Sequence, residues 1–158
     1  MNQATRSTPD AFHTITPHLI CDGAAAAMSF YETAFGAVEI DRMPGMGKIM
    51  HATMRIGDSV FMLCDEFPEH GSSGPLALQG TPVVMHLYVP DADAVYARAL
   101  AAGATSVMPP TDMFWGDRYG QVTDPFGHRW AIATHQRDLT PQQVQEAMAK
   151  AMPMDCPG

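Results

Sequence analysis

Apolar residues at Ala27, Met28, Tyr31, Ala34 and Phe35 recur at helical spacing and predict a helix over residues 24–35. Asp22-Gly23 stands ahead of it as a start signal. Gly36 follows as a stop, because glycine enters positive φ at little cost. Upstream, residues 13–21 carry β-branched Thr14, Ile15 and Thr16 and read as a strand. Downstream, residues 38–43 read as a second strand, ended by Pro44-Gly45-Met46-Gly47. Residues 48–56 and 59–65 read as a hairpin across Gly57-Asp58. The order is β-α-β-β-β. Residues 66–81, rich in Gly, Ser and Pro, read as a linker.

The order then returns. Residues 82–89 read as a strand, Asp91 caps a helix running to residue 102, and Gly103 ends it. A short strand over 105–108 is stopped by Pro109-Pro110. Strands over 118–123 and 128–134 flank Asp124-Pro125-Phe126-Gly127, which suits a type I turn. Residues 17–37 read PHLICDGAAAAMSFYETAFGA and residues 85–104 read MHLYVPDADAVYARALAAGA. Both open on His-Leu, pass an Asp, and enter an Ala-rich helix closing on Gly-Ala. The histidines are 68 residues apart (86 − 18) and the glycines 67 (103 − 36). A repeat of this length implies a duplicated supersecondary unit, an arrangement that often places a site between its halves. Thr140, Pro141 and Gln143 form a capping-box signature for a last helix to about residue 152. It is too short to be stable alone and is expected to pack on the domain or on a partner. The expected organisation is a flexible tail over 1–12, modules over 13–65 and 82–137, the linker between them, and a helix and tail over 138–158.

Composition narrows the function. The formal net charge is −8, and no Lys/Arg cluster offsets it, which argues against nucleic-acid binding. No apolar run is long enough to span a bilayer, and MNQATRSTPD lacks the layout of a signal peptide, so a cytoplasmic protein is expected. Cys21, Cys64 and Cys156 are odd in number and widely spaced, and read as reduced thiols. Thirteen methionines serve either as core filler or as an adaptable apolar pocket lining.

Several side chains are candidates for chemistry. His51, Thr53 and Arg55 alternate along one strand and share a face. His51 is a structural residue or the group that moves a proton; Arg55 is an anion anchor or a solvated strand residue. Phe114, Trp115 and Tyr119 cluster beside Asp117 and Arg118, as a lid over a flat ligand or as a plug on the sheet. Asp117 and Arg118 read as a loop-fixing ion pair. Trp130 and Phe126 read as core, and His70, His128 and His135 as surface or turn residues. No Ser-His-Asp set, phosphate-cradling glycine loop or paired zinc cysteines are evident.

Two βαβββ modules over residues 13–137 resemble the vicinal oxygen chelate superfamily of glyoxalase I, extradiol dioxygenases, fosfomycin-modifying enzymes and bleomycin-binding resistance proteins. The detail is most similar to its PhnB-like branch, through Phe30-Tyr31…Phe35-Gly36-Ala37, His51-Ala52…Arg55-Ile56 and the run from Phe114-Trp115-Gly116-Asp117-Arg118 to Asp124-Pro125-Phe126-Gly127. The fold implied is α+β, two tandem βαβββ modules forming a curved mixed sheet, plus a C-terminal helix. The resemblance also implies a homodimer. Its enzymes hold a divalent metal with four ligands, usually His or Gln, Glu, His and Glu, on the first and last strands of each module. Those positions fall here at about Thr16, Met62, Val84 and Ala131, none a good ligand. A displaced set, His18, Cys64 and His86, is the remaining metal candidate, for zinc, nickel, manganese or iron; otherwise no cofactor is expected. The alternative is that the two histidines are pocket walls.

The ligand pocket expected from these readings comprises His18, His51, Arg55, Met62, His86, Phe114, Trp115, Arg118 and Tyr119. The leading expectation is a binding protein for a small, partly aromatic or amphipathic molecule, without the usual metal quartet. The rival is a metal-dependent lyase, isomerase or dioxygenase acting on vicinal oxygens, with His51 moving a proton. A third is an interaction protein with no small ligand. A methyltransferase is disfavoured, since neither a Gly-rich cofactor loop nor a parallel α/β pattern is present.

Overall fold

The computed structural model describes residues 6–152; the first five residues of the expected tail, and Cys156, lie outside them. The chain divides between Thr81 and Pro82 into two compact units. Each carries its own four-stranded mixed sheet.

In the first unit, β1 (His18–Cys21) leads through α1 (Ala24–Phe35) to β2 (Val38–Gly45), β3 (Lys48–Ile56) and β4 (Ser59–Asp65). The sheet order is β1-β4-β3-β2, with β1 parallel to β4 and the other pairs antiparallel. The β3–β4 hairpin thus inserts between two strands joined by a helical crossover. Buried Ala27, Met28, Tyr31 and Ala34 line α1, and Leu19, Ala52, Met54, Phe61 and Leu63 are buried in the sheet. Tyr31 meets Phe61 edge to face at 5.7 Å.

The helix starts and stops where the pattern predicts, but its start is held from elsewhere in the chain. The N–H groups of Gly23 and Ala24 donate to Asp65 Oδ1, at 3.1 and 2.9 Å, and Ile49 N–H donates to Asp65 Oδ2 at 2.7 Å. At the other end Gly36, at φ +67°, closes α1 with its amide on Glu32 O.

The strand expected over 13–21 is shorter. Pro17 accepts a last bond from Met62 N–H but has no N–H to return, so pairing begins at His18. β2 is longer than expected and reaches Gly45, across a register shift at Met43/Pro44. Met46 and Gly47, both at positive φ, then turn the hairpin. The linker contains a 3₁₀ turn (Pro68–His70) and the one-turn helix α2 (Pro75–Leu78).

The second unit repeats the plan: β5 (Val84–Tyr88), α3 (Ala92–Ala101), β6 (Thr105–Asp112), β7 (Asp117–Thr123) and β8 (Arg129–His135), in the order β5-β8-β7-β6 with β5 parallel to β8. Asp91 caps α3 through Ala94 N–H at 3.0 Å. The strand expected to stop at Pro109-Pro110 runs through both prolines to Asp112. β6 is an edge strand, so one missing N–H can face away from the sheet; the adjacent one points the other way, and there the register shifts between Met108 and Thr111, setting both prolines against Gly120. Asp124 fixes the turn before β8: its Oδ1 accepts from Phe126 and His128 N–H and its Oδ2 from Trp130 Nε1, each at 2.9 Å. Trp130 and Phe126 are buried.

The last helix, α4 (Pro141–Ala151), opens on the reciprocal capping box of Thr140 and Gln143. None of its residues is buried. No described helix is long and apolar enough to cross a membrane.

Candidate functional site

Each sheet has a face turned away from its helix, and strand alternation decides which side chains stand on it. In the first unit one cross-strand row runs His18–Met62–Thr53–Asp41. His51 and Arg55 share this face with Thr53. The His18 and His51 rings meet edge to face at 5.8 Å, and His51 Nε2 lies 3.3 Å from Thr53 Oγ1. Burial lowers the His18 pKa below the ordinary imidazole value, and the neighbouring His51 lowers it further. Arg55 turns back to the hairpin and donates to Gly57 O at 3.0 Å.

In the second unit two rows stand side by side, His86–Ala131–Gln121–Met108 and Tyr88–Ala133–Tyr119–Thr111. Ala131 and Ala133 are fully buried. Their small side chains let rings from the flanking strands approach across β8: His86 of β5 lies 5.8 Å from Tyr119 of β7, and 4.7 Å from Tyr88 on its own strand. From the loop before β7, Trp115 meets Tyr119 edge to face at 5.5 Å, and Phe114 meets Trp115 at 5.0 Å. The result is a band of aromatic and imidazole rings, Phe114–Trp115–Tyr119–His86–Tyr88.

Two polar tips of this band, those of Tyr88 and Trp115, converge on Asp117, which is 4% exposed. Its Oδ2 accepts from Tyr88 OH at 3.1 Å and from Trp115 Nε1 at 3.2 Å; its Oδ1 lies 2.8 Å from His135 Nδ1. The bond to Asp117 raises the Tyr88 pKa above the usual phenol value. Gln121 Nε2 donates to Tyr119 OH at 2.6 Å. The buried carboxylate of Asp117 thereby finds partners, and the hydrogen bonds orient the Tyr88, Trp115 and Tyr119 rings.

The expected pocket residues therefore separate. His18, His51, Arg55 and Met62 stand on the open face of the first sheet, and His86 and Tyr119 on that of the second, with Phe114 and Trp115 beside them. Arg118 points to the other face of β7. It makes an ion pair with Asp93 of α3 and another with Asp112 at 3.1 Å, which hold its pKa above the usual guanidinium range. The ion pair expected between Asp117 and Arg118 is replaced by these two, because neighbouring strand residues point to opposite faces. Asp117, Tyr88, Gln121 and His135 were not among the expected pocket residues. The alternation of His86 with Tyr88, and of Tyr119 with Gln121, was the available signal.

The donor set does not suit the family's metal. Thr16 precedes β1, and Met62, Val84 and Ala131 offer no imidazole or carboxylate. In the displaced set, His18 stands opposite Met62, whereas Cys64 stands opposite Ile20. Burial, and then the charge of Asp65, raise the Cys64 pKa and disfavour the thiolate that would bind metal. His86 stands opposite Ala131. Among the described residues no group of three or more His, Cys, Asp or Glu side chains is arranged to hold a metal ion.

Comparison with known proteins places this geometry in context. The sequence model of the Glyoxalase/Bleomycin resistance protein/Dioxygenase superfamily matches residues 11–132. An uncharacterized protein of Mycobacterium tuberculosis is 48% identical over 139 residues, covering 85% of this chain and 82% of its own. The crystal structure of a gene product of Arabidopsis thaliana is 31% identical, with a TM-score of 0.65 over 77% of this chain and 98% of that one. TioX from Micromonospora sp. ML1 is 25% identical, with a TM-score of 0.60 over 81% of this chain and 100% of that one.

Proposed function

The chain belongs to the glyoxalase/bleomycin resistance protein/dioxygenase superfamily, and on that premise we propose that it binds a small, partly aromatic or amphipathic molecule on the open face of its second sheet, without the usual four-ligand metal site. The observation that carries this reading is the ring band of Phe114, Trp115, Tyr119, His86 and Tyr88, with Asp117 and Gln121 holding its hydroxyl and indole groups. Fixed aromatic rings offer a planar ligand stacking area at little entropic cost. The net charge of −8 favours a neutral or cationic ligand over an anion. A homodimer is part of the same proposal, supported by the exposed apolar side chains of Val38, Ile40 and Met43 on edge strand β2 and Met148 on α4.

Proflavine, a planar aromatic cation, tests the reading through its own fluorescence. Saturable binding that survives EDTA and weakens about tenfold in Tyr119→Ala is expected, from the loss of ring contacts. Absence of saturable binding, or equal affinity in the variant, overturns it.

The second reading is an enzyme of the lyase, isomerase or dioxygenase type acting on vicinal oxygens. The paired imidazoles of His18 and His51 favour it, since a His18 kept neutral near pH 7 is available to accept a proton. Its test is turnover of a vicinal-oxygen substrate lost in His18→Ala and in His51→Ala with the fold retained.

A further inference from the structure

His135 has carboxylates on both sides. Its Nδ1 lies 2.8 Å from Asp117 Oδ1 and its Nε2 lies 2.8 Å from Asp138 Oδ1. A neutral imidazole has one donor nitrogen and one acceptor nitrogen, and a carboxylate only accepts. Both bonds are therefore satisfied together when the ring is an imidazolium. The groups facing it are Asp117 from β7 and Asp138 from the segment after β8. Tyr88 of β5 reaches it through Asp117, and Arg118 is turned away toward Asp93 and Asp112.

The segment that carries Asp138 also holds the aromatic loop. Gly116 O accepts from both Gln136 N–H at 3.0 Å and Arg137 N–H at 3.1 Å. Gly116 sits at φ +104°, and a Cβ there would lie 2.5 Å from Arg137 O, so the two backbones are in direct contact. Trp115 is the residue before Gly116, and its indole hangs on Asp117.

We propose that the His135 imidazolium is a latch on the Trp115 loop: doubly protonated, it ties Asp117 to Asp138 and seats residues 136–138 on Gly116; on losing one proton to water it keeps the buried Asp117 and releases the exposed Asp138. Release loosens the strap over Gly116 and, with it, the Phe114–Trp115 edge of the ring band. The Asp138 bond, and then the Asp117 bond, raise the His135 pKa above its ordinary value, which brings the switch toward neutral pH. Its effect on ligand binding rests on the function proposed above; the latch itself is readable without a ligand.

The experiment follows Trp115 emission from pH 5 to 9, isolated by subtracting Trp115→Phe, in wild-type protein, Asp138→Asn and His135→Gln. A wild-type transition centred above pH 6.5 is expected. It should move to lower pH in Asp138→Asn, whose exposed site keeps the fold safe, and vanish in His135→Gln. A flat wild-type trace, or a midpoint unmoved by Asp138→Asn, overturns the latch. Proflavine affinity measured in parallel should fall by up to about fivefold above the transition, the scale of one exposed ion pair. An emission transition with no proflavine binding at any pH sustains the latch and overturns the binding reading alone.

Discussion

Asp65 and Thr134 do the same work at corresponding ends of β4 and β8: each holds the first turn of its own module's helix. Asp65 Oδ1 takes the N–H groups of Gly23 and Ala24, and Thr134 Oγ1 takes Ala92 N–H at 2.8 Å while donating to Val89 O at 2.9 Å. The duplication therefore repeats a long-range helix anchor as well as an element order.

Asp65→Ala strips three donors of their acceptor, two of them at a helix N-terminus. About 2–4 kcal/mol of stability should be lost, from the charged bonds and the orphaned donors. Thr134→Val removes one neutral cap and should cost about 1–2 kcal/mol. Urea unfolding of the two variants checks both the values and their order.

Gly116 is the second pressure point. A methyl group there meets Arg137 O at 2.5 Å, on a backbone at φ +104° that other residues rarely adopt. Gly116→Ala should cost about 1–3 kcal/mol. It should weaken proflavine binding as well, because the strain falls next to Trp115. Retained affinity with lowered thermal stability would separate the loop from the site.

His18 sets a pH dependence opposite to that of His135. Its pKa is lowered in the folded protein, by burial first and then by His51. As pH falls below the ordinary value near 6.5, the unfolded chain takes up a proton that the folded one resists. Stability present above that pH should fall as acid is added, down to the folded pKa. Denaturant midpoints at pH 7.5 and 5.5 read the effect, and His18→Gln should flatten it. His135 contributes the reverse: its raised pKa favours the fold at low pH and the gain disappears as pH rises through the folded value.

The modules were legible because periodicity reports local structure. α1, β3 and β4 match the residues that the apolar spacing and glycine stops predict. What was not legible depends on pairing. Pro109 and Pro110 read as a stop, and the edge position of β6 together with its register shift lets a strand pass through them. Asp65 is distant in sequence from the helix it caps. In the site, Phe114, Trp115 and Tyr119 read as a cluster from the sequence, whereas His135 reads as a surface or turn residue. Its role follows from the antiparallel register that sets it opposite Asp117.

That same register argues the last prediction, on metals. Divalent ions need several convergent imidazole, carboxylate or thiolate donors. Here His18 faces Met62, His86 faces Ala131, and Cys64 is a buried thiol whose pKa is raised. Zinc, nickel, manganese or iron(II) at tenfold molar excess should therefore shift the Tm of the purified protein by less than about 2 °C, well short of the stabilisation that a tight native-state ligand brings. EDTA should leave proflavine binding unchanged. A large shift selective for one metal, lost in His18→Ala or in His86→Ala, would move the protein to the enzyme reading and make the histidine concerned a ligand.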